Sequence, residues 1–211
     1  MRLITHKTSF ARVAALTAYH VGRLETHKKT KALLDVFVPI YQTYNSHWEK
    51  WNKARVRRAI LFGILEFCDG DFDSAHSDLN SVLLAHVKRD RDSVVYRTFY
   101  PSGRLEETVN APFTDTITTV NRIVAAHKAY PEAASQDLID AIQATGADVI
   151  SAADALRQHE VEIANHRANM QIARIPLVRE YNNNPSHLRI LFQNRKRLVE
   201  SFFLDNIEDD E

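Results

Sequence analysis

Ile142, Val149, Leu156, Ile163 and Met170 recur every seven residues, and Leu138, Thr145, Ala152, His159, His166 and Ala173 fill the position three residues further on. No other periodicity in the chain is as long or as clean. A seven-residue apolar repeat is met by an α-helix packed along a seam in coiled-coil fashion. At about 1.5 Å per residue the span corresponds to a rod of roughly 50 Å. Only five glycines and six prolines punctuate 211 residues, so long helices with few breaks are expected throughout. Together these features predict an all-α fold: an elongated up-and-down helical bundle of five or six helices, forming one domain over residues 1–211.

A first helix is predicted from about Ser9 to His27, with Phe10, Val13, Ala14, Thr17, Val21 and Leu24 on one face. A second starts near Thr30, and Pro39 should kink or restart it. Apolar residues resume at Ile60, Leu61, Leu65 and Phe67, and a third helix is expected to begin at the acidic stretch after Cys68. A fourth covers about Thr114 to Ala129, and Pro131 suits the first position of a fifth. Pro176 should interrupt that fifth helix. "NNNPSH" then reads as a turn in which Asn184 caps and Pro185 starts the last helix. The tail, 205–211, is acidic and expected to be solvated.

One segment differs in texture. Around 94–109, "SVVYRTFYPSGRLEETVNAP" is rich in β-branched and aromatic residues that alternate across Tyr96–Tyr100. Pro101-Ser102-Gly103 has the chemistry of a type I turn closed by a left-handed glycine. A short inserted β-hairpin is therefore expected, with Phe99 and Tyr100 beside its turn as docking residues for a protein partner or a second copy.

Composition excludes several classes. Lysine plus arginine and aspartate plus glutamate number 27 each, whereas dedicated nucleic-acid binders are usually clearly basic. A single cysteine, Cys68, precludes an internal disulfide and fits a reducing compartment. No apolar run approaches the roughly 20 residues that span a bilayer. The charge and histidine scattered through the first 22 residues read as an ordinary helix and not as a signal peptide. A cytoplasmic protein is expected, with no membrane attachment.

The acidic stretch "FCDGDFDSAHSDL" invites a calcium reading. Asp69, Asp71 and Asp73 match the first oxygen ligands of an EF-hand loop, but Ser74 replaces its glycine and Asn80 its bidentate glutamate. The bland reading is a helix boundary, with Gly70 left-handed and Asp71 or Asp73 capping the next helix. "GDFDSAHSDL" also resembles the start of the second helix of a tetratricopeptide unit, with Ala75 after the aromatic Phe72 and Gly63 between the helices. The resemblance covers one unit of about 34 residues. Val87 stands where the pattern keeps proline, and no second copy occurs downstream, so it implies a single helical hairpin.

Histidine is in excess, at ten residues. His20 and His27 are seven apart on the first helix, and His159 and His166 are seven apart on the heptad seam, with Glu162 one turn from both. Two facing ladders would bring imidazoles together as metal or haem ligands. Against this, no Glu-x-x-His occurs, and histidines at stripe edges usually bond to a polar neighbour. Glu160 and Arg195 each fall in an apolar stripe, where they either pair as a structural ion pair or snorkel. Trp48 and Trp51, with Tyr41 and Tyr44, form an aromatic run that serves either as core or as a partner-binding face. Short basic clusters at 55–58, 88–91 and 195–197 read as solvated helix faces.

No phosphate-binding glycine loop, nucleophile elbow or His-Glu-x-x-His is present. Cys68 is placed near a helix C-terminus, the wrong end to activate a thiol. The leading expectation is thus a non-enzymatic structural or assembly protein without a cofactor, acting on a protein partner or by self-association. A metal- or haem-binding bundle and an enzyme without local motifs are the alternatives.

Overall fold

The computed structural model describes residues 3–193 and 195–204, with Glu107 described by its backbone alone. The expected solvated tail, 205–211, lies outside the described residues. The α-helices are α1 (Phe10–Glu25), α2 (Lys31–His86), α3 (Val94–Phe99), α4 (Glu106–Val109), α5 (Thr116–Ala129), α6 (Gln136–Leu191) and α7 (Lys196–Glu200). Short 3₁₀ turns precede α2, α5 and α6. The fold is all-helical, and no strand occurs among the described residues. No helix among them is long and apolar enough to cross a membrane.

The chain packs into two compact units. Unit 1 comprises 1–55 and 161–211, and its core gathers Leu16, Leu24, Phe37, Tyr44, Leu177, Tyr181 and Phe202. Unit 2 comprises 56–160, with Phe72, Leu79, Leu83, Tyr96, Phe99, Tyr100, Ile123 and Ile142 at its centre. The heptad seam of α6 is used as its spacing predicts. Ile142, Val149 and Met170 are buried, and Leu156 and Ile163 are partly buried.

Several expected breaks are absent. α2 runs through Pro39, Gly63 and Gly70, and α6 runs through Pro176 and Pro185. A proline inside a helix costs about 3 kcal/mol or more. Burial of Met170, Leu177, Tyr181 and Leu188 along one face of α6 offsets it, because each such side chain contributes about 1.5–3 kcal/mol. Gly70 is not left-handed, since Gly103 is the positive-φ glycine among the described residues. Neither Asp71 nor Asp73 caps a helix, and the hairpin implied by the tetratricopeptide resemblance does not form. α2 ends instead where Lys88 and Arg89 take left-handed φ of 53° and 66°, and Arg89 N–H reaches back to Leu84 O at 2.7 Å.

The β-hairpin is also replaced. Ser93 caps α3 by accepting from Tyr96 N, and Tyr96, Phe99 and Tyr100 sit at helical spacing with all three rings fully buried. Their alternation resembles a strand, but the i, i+3, i+4 pattern of the same residues fits a helix turned onto the core. The turn at Pro101–Gly103 is present, with Gly103 at φ +77°, and it joins two short helices.

Polar side chains tie the N-terminal segment to α6 within unit 1. The Asn182 amide accepts from Ile4 N at 3.0 Å and donates to Ile4 O at 2.9 Å. Arg174 donates to the carbonyls of Thr5 and Thr8 at 2.8 Å each.

Candidate functional site

α2 carries two apolar stripes within unit 2. Leu61, Leu65, Phe72, His76, Leu79 and Leu83 fall on one side of a 3.6-residue helix and are buried. Val56, Ile60, Gly63, Phe67, Gly70 and Ser74 fall on the opposite side, and all are exposed. Val56 is 60% exposed, Ile60 50% and Phe67 69%. Solvent exposure of one such side chain is ordinary, but these three recur on one side of the same helix. Gly63 and Gly70 have open space where a side chain would stand, so the row alternates large side chains with bare backbone.

Charge along this face is segregated. Arg57 stands at its beginning and Glu66, Asp71 and Asp78 occupy the later part, whereas Arg58, Asp69 and Asp73 lie towards the packed side of the helix. Burial raises the Asp69 carboxyl above its ordinary range, and burial with the neighbouring Asp69 raises Asp73. Beside the stripe, Leu61, Ile64 and Cys68 of α2 and Asp148, Ser151, Ala152 and Ala155 of α6 line a shallow groove of about 310 Å³. Cys68 is half-buried within α2, not at a helix end.

The histidines divide by environment. His20 is fully buried. Asn184 Nδ2 donates to its Nε2 at 2.8 Å, and its Nδ1 donates to Phe202 O at 2.9 Å. Desolvation outweighs the bond to Phe202 O and lowers its pKa to about 4. His27 is partly buried against Phe192 and Phe202, at centroid distances of 5.2 and 5.7 Å. His159 and His166 are partly buried and Glu162 is exposed. Among the described residues no three of His, Cys, Asp and Glu gather where a metal could be held. His76, which no sequence pattern singles out, is buried under Tyr100: its Nδ1 lies 3.2 Å from the phenol, and that hydroxyl donates to His76 O at 3.1 Å. Burial first, then the charge of Arg122, lowers its pKa to about 4.

Glu160 accepts two hydrogen bonds from Arg58, at 3.0 and 2.8 Å. Its partner is therefore Arg58 and not Arg195, which stands exposed at the N-terminus of α7. Both members are about half exposed, so the pair contributes no more than about 1 kcal/mol. Trp48 and Trp51 are partly buried against the unit 1 core, 5.5 Å apart, with Arg55 stacked on Trp51 at 4.9 Å. Phe99 and Tyr100, expected at a docking surface, are core residues of unit 2. A fully buried ring offers no area to a partner.

The exposed stripe is hard to see in the sequence because Ile60, Leu61, Leu65 and Phe67 look like a single apolar face. Helical phase separates them: Leu61 and Leu65 point one way, Ile60 and Phe67 the other. The chain matches no protein-family model, and comparison with curated proteins and with solved structures finds no match.

Proposed function

We propose that the protein is a non-enzymatic assembly protein that binds another polypeptide through the outward face of α2. The observation that supports this most is the uncovered row Val56, Ile60 and Phe67 on the side of α2 opposite its buried stripe. Burying apolar area of this kind stabilises by about 25 cal/mol per Å², and aromatic side chains such as Phe67 are favoured anchors of interfaces. No alternative is favoured as directly: the groove beside the stripe is shallow, and both ring nitrogens of His20 are spent on structural bonds.

The test is site-specific photocrosslinking in the full-length chain. A photoreactive amino acid replaces Phe67, and the control replaces Glu132, which is exposed away from the stripe. The expected result is a discrete adduct at 67 and none at 132, with the crosslink mapping to one recurring peptide of another polypeptide. If position 67 gives no adduct in purified protein or in native extract, the proposal fails.

A further inference from the structure

We infer that the occupant of this face is a second copy of the same chain, laid antiparallel on α2. The inference rests on the reading of α2 as a binding face and goes on to name the partner. Val56, Gly63 and Gly70 recur every seven residues, and Ile60, Phe67 and Ser74 fall four positions after each. That is the spacing of a two-helix seam.

The seam is its own complement in one orientation. With two helices antiparallel about a two-fold axis near residue 65, Phe67 faces Gly63 of the other copy, Ile60 faces Gly70 and Val56 faces Ser74. Every large side chain meets a small one, and each pairing occurs twice, as an isologous interface requires. The glycines have open space at their Cβ positions, so the backbones can approach.

Charge selects the same orientation. In an antiparallel pair, each flank of the seam meets the same flank of the other helix. Arg57 then lies opposite Asp71 of the second copy, twice over, because the basic beginning of the face meets its acidic end. A parallel pair would join opposite flanks of the seam and set Glu66 against Asp71 and Asp73 against Asp78 of the other copy. Glu66, beside the axis, is the one like-charge meeting in the antiparallel pair, and Glu66→Gln should tighten it. Such charge patterns set partner and orientation more than raw affinity.

Sedimentation equilibrium of the purified full-length protein tests this. A dimer is expected at tens of micromolar, and Phe67→Glu should weaken it on the order of a hundredfold. Helical circular dichroism should be unchanged, since the side chain is exposed. Arg57→Asp and Asp71→Arg should each weaken the dimer, and the double variant should recover it. Orientation is read in a Cys68→Ser background by mixing Val56→Cys and Ser74→Cys chains under mild oxidation. Mixed 56–74 disulfides support the antiparallel seam, and 56–56 disulfides overturn it. A strict monomer overturns the self-pairing. Photocrosslinking at 67 to a different polypeptide would then leave the broader assembly reading standing, and failure of both would remove it.

Discussion

Asn184 Nδ2 donates a hydrogen bond of 2.8 Å to Nε2 of His20, and that bond fixes the tautomer of a fully buried imidazole. An amide nitrogen only donates, so Nε2 carries the lone pair. The ring proton then sits on Nδ1 and is given to Phe202 O at 2.9 Å. The neutral ring is satisfied at both nitrogens. Protonation would set a hydrogen against the Asn184 amide and a charge among the rings of Phe37, Tyr181 and Phe203.

Stability should therefore fall on mild acidification. His20 and His76 both have pKa lowered from 6.5 to about 4. Between those values the unfolded chain binds more protons than the folded one. Stability is complete above about pH 6.5, declines as pH falls towards 4, and then levels off. The full effect is about 3 kcal/mol per histidine. Asp69 and Asp73, with raised pKa, act in the opposite sense but are only partly buried. Urea midpoints should be lower at pH 5 than at pH 7.5, and equal midpoints would defeat the prediction.

Asn184→Asp should reverse the local preference. A carboxylate in the same place accepts from Nε2–H and favours the imidazolium. The His20 ring signals should titrate at higher pH than in the wild type, and the acid sensitivity of unit 1 should shrink. A His20 titration left unchanged by the substitution would show that Asn184 does not control the ring.

How much of the fold is legible in the sequence depends on the range of each signal. The α6 heptad is legible because one periodicity persists over many turns, and Ile142, Val149 and Met170 are buried as it requires. The continuity of α6 through "NNNPSH" is illegible because asparagine and proline carry strong local turn signals. Their actual roles are tertiary: Asn182 holds Ile4, Asn184 holds His20, and the helix persists because Tyr181 and Leu188 are buried on either side. The same holds at Gly63 and Gly70, which read as punctuation and instead lie bare on an outward helix face. Composition alone does not separate a hairpin from α3, since Tyr96 and Tyr100 satisfy both spacings. The Ser93 cap is the local signal that decides between them.

Phe99→Ala should destabilise unit 2 by about 3–5 kcal/mol, the usual cost of truncating a buried phenylalanine. The ring is wholly buried in that core. Denaturant unfolding should show the loss, while the mass in solution stays that of the wild type. A change of mass with stability intact would restore a docking role to Phe99.

Calcium should leave the protein unchanged. Asp69, Asp71 and Asp73 lie within the continuous helix α2, where Asp69 and Asp73 share a face but Asp71 points to the opposite side, so the three cannot converge on one ion. A melting temperature that rises with calcium and loses the rise in Asp71→Ala would contradict this placement.

Gly146→Ala should destabilise unit 2, although helix propensity alone favours alanine by about 1 kcal/mol. Gly146 lies in α6 where α5 crosses closely. An added Cβ would stand 2.5 Å from Val120 Cγ2 and 3.2 Å from Phe72 Cε2. The first distance is well inside van der Waals contact, and Phe72 is itself buried, so neither neighbour can move freely. Overpacking of this kind costs about 1–3 kcal/mol and outweighs the propensity gain. Val120→Ala removes the methyl that clashes. Val120→Ala and Gly146→Ala together should then be more stable than the sum of their separate effects predicts, by about 1 kcal/mol in a double-mutant cycle. Chemical denaturation of the four proteins measures that coupling. Additive effects, or a rise in stability for Gly146→Ala alone, would show that the α5–α6 crossing yields to a methyl group and that glycine is not required there.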